Sequence, residues 1–128
     1  MWRRSRVIVV AMRATRTIVT RAGDNHVICG DCVVADSAPA RLRGLLGRSP
    51  LAAGEGLLLR PCASVHTWFM GFAIDALFLD RDLRVVRIAP NLRPWQMAAA
   101  RKAKVVLELR SGEAARSRIA VGDRLVLG

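Results

Sequence analysis

Apolar residues along this chain fall in short runs bounded by turn-forming residues, and few of the runs carry helical spacing. Thr17 to Thr20 is β-branched and reads as a strand. Ala22 to Asn25 is a turn, and His26 to Cys29 returns as its hairpin partner, with Val33 and Val34 continuing extended. Leu57 to Arg60 reads as a buried strand that Pro61 ends, because proline cannot donate to a ladder. Ala76 to Leu79 is a second buried strand. Asp80, Arg81 and Asp82 supply a turn, and Leu83 to Ile88 pairs back as the clearest hairpin. Pro90 to Pro94 is expected as a loop. Val105 to Leu109 reads as a strand buried on both faces apart from Glu108, and Leu125 to Val126 and Leu127 as the last strand.

Three short segments have helical character. Ser37 to Gly47 has a serine N-cap, a proline in the first turn, a glycine C-cap, and Leu42, Leu45 and Leu46 on one face. Ala98 to Lys102 reads as a helical turn on alanine propensity. Ser111 to Arg118 reads as a short helix capped by Ser111, with Glu113 at its positive end. The expected fold is therefore α+β: one compact domain with a mostly antiparallel, curved or barrel-like sheet and two or three short helices. Residues 17–128 would form that domain and residues 1–16 a basic tail.

The charge of +11 changes this picture little. Nineteen of the 21 basic residues are arginine, and six lie in the first 21 positions, where no acid balances them. Charge runs of this kind report solubility and non-specific attraction more than a fold. Neither an aromatic-and-basic nucleic-acid signature nor a glycine-rich phosphate loop is present. The apolar run from Val7 to Met12 is too short for a signal peptide or a membrane span, so a cytoplasmic domain is expected, with Met12 a second candidate start.

The candidate chemistry collects between Cys62 and Asp80, which holds all three phenylalanines, Trp68, and one each of the three cysteines and two histidines. Outside it, Cys29 and Cys32 form a CxxC, but no second pair exists to complete a four-ligand zinc site, and the motif reads as a pair in a hairpin without a working role. Three cysteines in all do not indicate a disulfide framework.

At this point the residues resemble a known family. Arg41 to Arg48, with Arg43 and Gly44 inside it, resembles the R-x-x-GLx-x-R helix of the bacterial and archaeal domain of unknown function 192. Cys62 to Met70 followed by Ile74 to Asp80 resembles its C-x-x-x-H-T-x-x-M…ID-x-x-F-L-D centre. Pro94 with Trp95, Val106 to Leu109, Gly112, and Gly122 with Asp123 resemble later landmarks, so the likeness spans residues 17–127. It implies a compact β-rich domain and no established reaction, ligand or cofactor.

Three readings of the centre stay open. In the first, the domain is a non-catalytic ligand-binding or interaction module with a pocket lined by His66, Thr67, Trp68, Met70, Asp75, Trp95 and Glu108, and Arg43 adding an anion contact. In the second, Cys62 and His66, with Met70 a further candidate, bind Cu(I) or Zn(II). That needs a helical turn, since four residues along a strand span about 13 Å. In the third, Cys62 is a nucleophile, His66 its base and Asp75 the orienting carboxylate of a hydrolase or transferase. Beside these stand structural roles: Asp75 accepting backbone N–H bonds, and Glu108 pairing with an arginine. The residues name neither a cofactor nor an oligomeric state.

Overall fold

The computed structural model describes residues 15–35, 50–67 and 71–128. Among the described residues, nine strands carry almost all of the regular structure. They are β1 (Thr15–Arg21), β2 (Val27–Ala35), β3 (Glu55–Leu59), β4 (Ser64–His66), β5 (Ile74–Leu79), β6 (Val85–Leu92), β7 (Met97–Ala99), β8 (Val105–Arg110) and β9 (Leu125–Leu127), with one helix among the described residues, α1 (Glu113–Arg116).

Seven strands form one sheet in the order β6-β5-β8-β3-β2-β1-β9, and β4 pairs with β7 as a separate ribbon. All pairings are antiparallel except β2 with β3. The sheet curls until its two edges meet at one end. Arg84 bridges Arg124, the Val85 N–H donates to the Asp123 carbonyl at 2.8 Å, and the Leu125 N–H donates to the Leu83 carbonyl at 2.9 Å. Joining edges in this way removes unpaired ladder groups that would otherwise invite aggregation.

The two faces of the sheet bury different cores. One draws on every strand of the sheet, including Val19, Ile28, Leu58, Leu77, Val85, Leu107 and Leu125, and fills the inside of the curl. The other comprises Val33, Leu57, Leu59, Ile74, Ala76, Phe78, Ala89 and Val106, and is covered from outside by Val65 and Ala98 of the β4–β7 ribbon together with Leu51. We call these the inner and outer faces. Because β5 and β8 sit mid-sheet with a core on each side, both are apolar at consecutive positions.

The mostly antiparallel curved sheet agrees with the sequence, and the helix content is corrected. Met97 to Ala99 is a strand, not the start of a helical turn: pairing with Ser64 to His66 overrides alanine's propensity. The helix expected at residues 37–47 lies outside the described residues. Pro90 is inside β6 rather than in a loop. It is tolerated because β6 is an edge strand and the ladder shifts register opposite residues 74–76. Helix α1 forms where expected, but Gly112, at φ 97°, precedes it, while Ser111 donates instead to the Asn91 side chain at 2.8 Å.

Candidate functional site

Register assigns each candidate residue to a face, since directly paired residues in a ladder point the same way. Asp75 pairs with Leu109 and so faces inward. Glu108 pairs with Ala76 on one side and Leu57 on the other, and so faces outward. These two acids, expected to line one pocket, stand on opposite faces of the same sheet. Consecutive positions on adjacent strands alternate, so no small adjustment brings them together.

Asp75 is 1% exposed, and its carboxylate is fully engaged by backbone. Oδ1 accepts the Asn91 N–H at 2.8 Å, and Oδ2 accepts the Gly112 and Ala114 N–H groups at 3.0 and 2.9 Å. A single side chain thereby caps α1 from a neighbouring strand and holds the β6 irregularity at Asn91, whose φ is 49°. This is the backbone-accepting role. It also removes Asp75 from behind His66, which a nucleophile–base–acid relay requires.

The ribbon places the cysteine–histidine segment. Val65 points into the outer-face core, while Ser64 and His66 face away from it and are exposed. Residues 64–66 are extended, so the helical turn that would set Cys62 beside His66 does not form. Cys62 is half-buried against the outer-face core, and its thiol donates to the Ser64 carbonyl at 3.1 Å. No group of three or more His, Cys, Asp or Glu able to hold a metal ion occurs among the described residues.

Thr67 is completely buried. Its hydroxyl lies against the Arg93 and Gln96 carbonyls and accepts the Gln96 N–H at 2.9 Å, while its own N–H donates to the Gln96 carbonyl at 2.8 Å. Thr67 thus ties β4 to the turn that carries Trp95. Trp95 itself is 63% exposed at φ 65°, and Met97 is also exposed. Arg43, Trp68 and Met70 lie outside the described residues.

Glu108 differs from Asp75 and Thr67, whose side-chain polar atoms are all engaged by backbone. It is 6% exposed, in a row that runs Val33, Leu57, Glu108, Ala76, Ala89 across five strands. Among the described residues no hydrogen bond or ion pair reaches its carboxyl group, and none of their arginines is the partner expected for it. Nearby Arg87 is committed elsewhere, to the Ala99 carbonyl and, at 5.8 Å, to the Phe78 ring. Burial in this apolar row pushes the Glu108 carboxyl up to about 8, so it is mostly protonated at neutral pH.

Two features escaped the sequence reading. Cys29 and Cys32 share the inner face, and a cavity of about 290 Å³ opens between β2 and α1, lined by His26, Ile28, Gly30, Gly54, Glu113 and Ser117 among others. Nothing in spacing alone brings residues 26–30 to 113–117.

The sequence profile of DUF192, an uncharacterized family, matches residues 17–127. The chain belongs to the DUF192 family. A UPF0127 protein of Pyrococcus abyssi is 33% identical over 103 residues, covering 75% of this chain and 85% of that one. A solved structure of a protein of unknown function from Novosphingobium aromaticivorans superposes with a TM-score of 0.75 at 28% identity, covering 88% of this chain and 84% of that one. One from Sinorhizobium meliloti gives 0.77 at 22% identity, covering 89% and 95%, and supports the fold alone. No helix among the described residues is long and apolar enough to cross a membrane.

Proposed function

We propose that this DUF192 domain is a non-catalytic ligand-binding module whose site is the outer sheet face around Glu108, the face that the β4–β7 ribbon covers. The observation that carries this reading is the buried carboxyl of Glu108, which meets no partner among the described residues and lies on the face of Leu57, Ala76 and Val106. A polar group left unpaired in an apolar layer costs about 1–3 kcal/mol. Groups that weaken a fold in this way concentrate at sites that bind or react. Small-molecule sites have this composition, apolar walls with a few aimed polar groups. The ligand would be a small, largely apolar molecule presenting one hydrogen-bonding group to the acid. Engagement of Asp75 by three backbone N–H groups favours binding over relay catalysis here.

The test is a thermal-shift screen of small apolar amides, amines and alcohols against wild type and Glu108→Gln. A binder stabilises the native state by mass action. The reading expects compounds that raise Tm in wild type and lose most of that effect in the variant. Binders with equal effect on both proteins, or none across the screen, would contradict it.

A further inference from the structure

The CxxC pair is brought together by an irregularity in the sheet. Between the Thr17–Cys32 and Val19–Cys29 pairings, β1 advances two residues while β2 advances three. The extra residue is a β-bulge at Gly30 and Asp31, which are exposed. In a regular strand, residues three apart point to opposite faces. The bulge instead puts Cys29 and Cys32 on the inner face, both fully buried in one core cluster and both beside Gly56, which pairs with Cys32 and whose Cβ position lies 2.8 Å from the Cys29 sulfur.

The surroundings treat the two thiols differently. The neighbouring Cys32 thiol lowers Cys29 below the ordinary thiol value, against the opposing effect of burial. Cys32 is raised by the neighbouring Cys29 sulfur and by burial, while its own thiol donates to the Val33 carbonyl at 3.8 Å. A more acidic attacking thiol beside a less acidic resolving thiol is the division of labour that disulfide exchange uses. Gly56 makes the room for this pair, since a Cβ there would stand 2.8 Å from the Cys29 sulfur.

Neither cysteine lines the cavity between β2 and α1, but residues in contact with Cys29 do. The Cys29 thiol donates to the Gly54 carbonyl at 3.4 Å, and Gly54 lines the 290 Å³ cavity together with Gly30 and Ile28, the two chain neighbours of Cys29. Two of the residues between this cavity and Cys29, Gly30 and Gly54, are glycines without side chains to bar the way. Across the cavity, Glu113 and Arg116 form an ion pair at 2.8 Å beside His26, offering both signs of charge to a zwitterionic visitor.

We propose that Cys29 and Cys32 form a two-electron dithiol couple that closes to a disulfide by exchange with a low-molecular-weight disulfide of the glutathione type entering this cavity. The Cys29 thiolate attacks one sulfur of the visiting disulfide, breaking its S–S bond and releasing one thiolate. Cys32 then gives up its proton, which the released thiolate takes, and attacks the Cys29 sulfur. The second thiolate leaves and is protonated by solvent. The protein dithiol is oxidised by two electrons, and one visiting disulfide becomes two thiols. This site is separate from the Glu108 face, which it neither requires nor blocks.

The experiment uses the folded full chain incubated with oxidised glutathione, then acid-quenched, unfolded, alkylated with N-ethylmaleimide and digested with trypsin. Cys29 and Cys32 share the tryptic peptide 22–41, and Cys62 lies on another. The expected product is peptide 22–41 lighter by two hydrogens and without alkylation, restored by reduced glutathione. In Cys32→Ala, the same peptide should instead carry one glutathionyl group at Cys29. Two alkylated cysteines in peptide 22–41, under conditions that oxidise a urea-unfolded control, would overturn the proposal. So would a mixed disulfide in the wild type that never closes.

Discussion

Asp75 and Glu108 lie on the adjacent strands β5 and β8, one register step apart, yet Asp75 faces the inside of the curled sheet and Glu108 the outside. The first accepts three backbone N–H groups, and the second meets no partner among the described residues. The two acids therefore have opposite consequences for the fold, although both are buried.

Replacing Asp75 by alanine leaves three backbone donors without their acceptor, those of Asn91, Gly112 and Ala114. We expect a loss of about 3–5 kcal/mol in urea unfolding. Asp75→Asn should recover part of it, since an amide keeps one acceptor oxygen. A loss below about 1 kcal/mol for the alanine variant would mean that α1 and β6 hold without this carboxylate.

Glu108 should make stability fall with rising pH. Its folded value, about 8, lies above that of the unfolded chain. Between about pH 4.5 and 8 the unfolded state therefore holds fewer protons than the native state, so stability declines across that window and levels off above it. Glu108→Gln should flatten this slope and gain about 2 kcal/mol at pH 7. Denaturant midpoints at pH 5 and pH 8 for both proteins check it, and parallel curves would contradict it.

The strands were legible in the sequence because short β-branched and leucine runs between turn residues rarely fit anything else. The facing of Asp75 and Glu108 was not. β5 and β8 are buried on both sides, so consecutive apolar residues erase the period-two signal that would separate inside from outside. The CxxC pairing was hidden for a related reason. A bulge inverts the facing of every residue beyond it, and Gly30–Asp31 marks one only once the β1 register is known. Ala98 to Lys102 misled because alanine's helical preference is small beside the ladder that β7 makes with β4.

Gly56→Ala should cost about 1–3 kcal/mol, since the new Cβ would meet the Cys29 sulfur at 2.8 Å and the Glu108 carbonyl oxygen at 3.1 Å. The double variant with Cys29→Ala should recover only part of this, because the backbone contact remains. Thermal unfolding of the four proteins of the cycle measures the coupling.

Thr67→Val keeps the volume and removes the hydroxyl that Arg93 and Gln96 share. A loss of about 1–2 kcal/mol is expected. It should come with faster amide hydrogen exchange at Trp95 and Gln96 and little change in β5 or β8. Uniform acceleration across the sheet would show that the ribbon and the sheet open as one unit.

The most direct measurement is the titration of the Glu108 side-chain carboxyl carbon by NMR in the full chain. An acid in the apolar outer face with no partner among the described residues should change protonation near pH 8. A midpoint at the ordinary carboxylate value, near 4, would mean that Glu108 is hydrated or paired, and the ligand site placed on it would fall with that result.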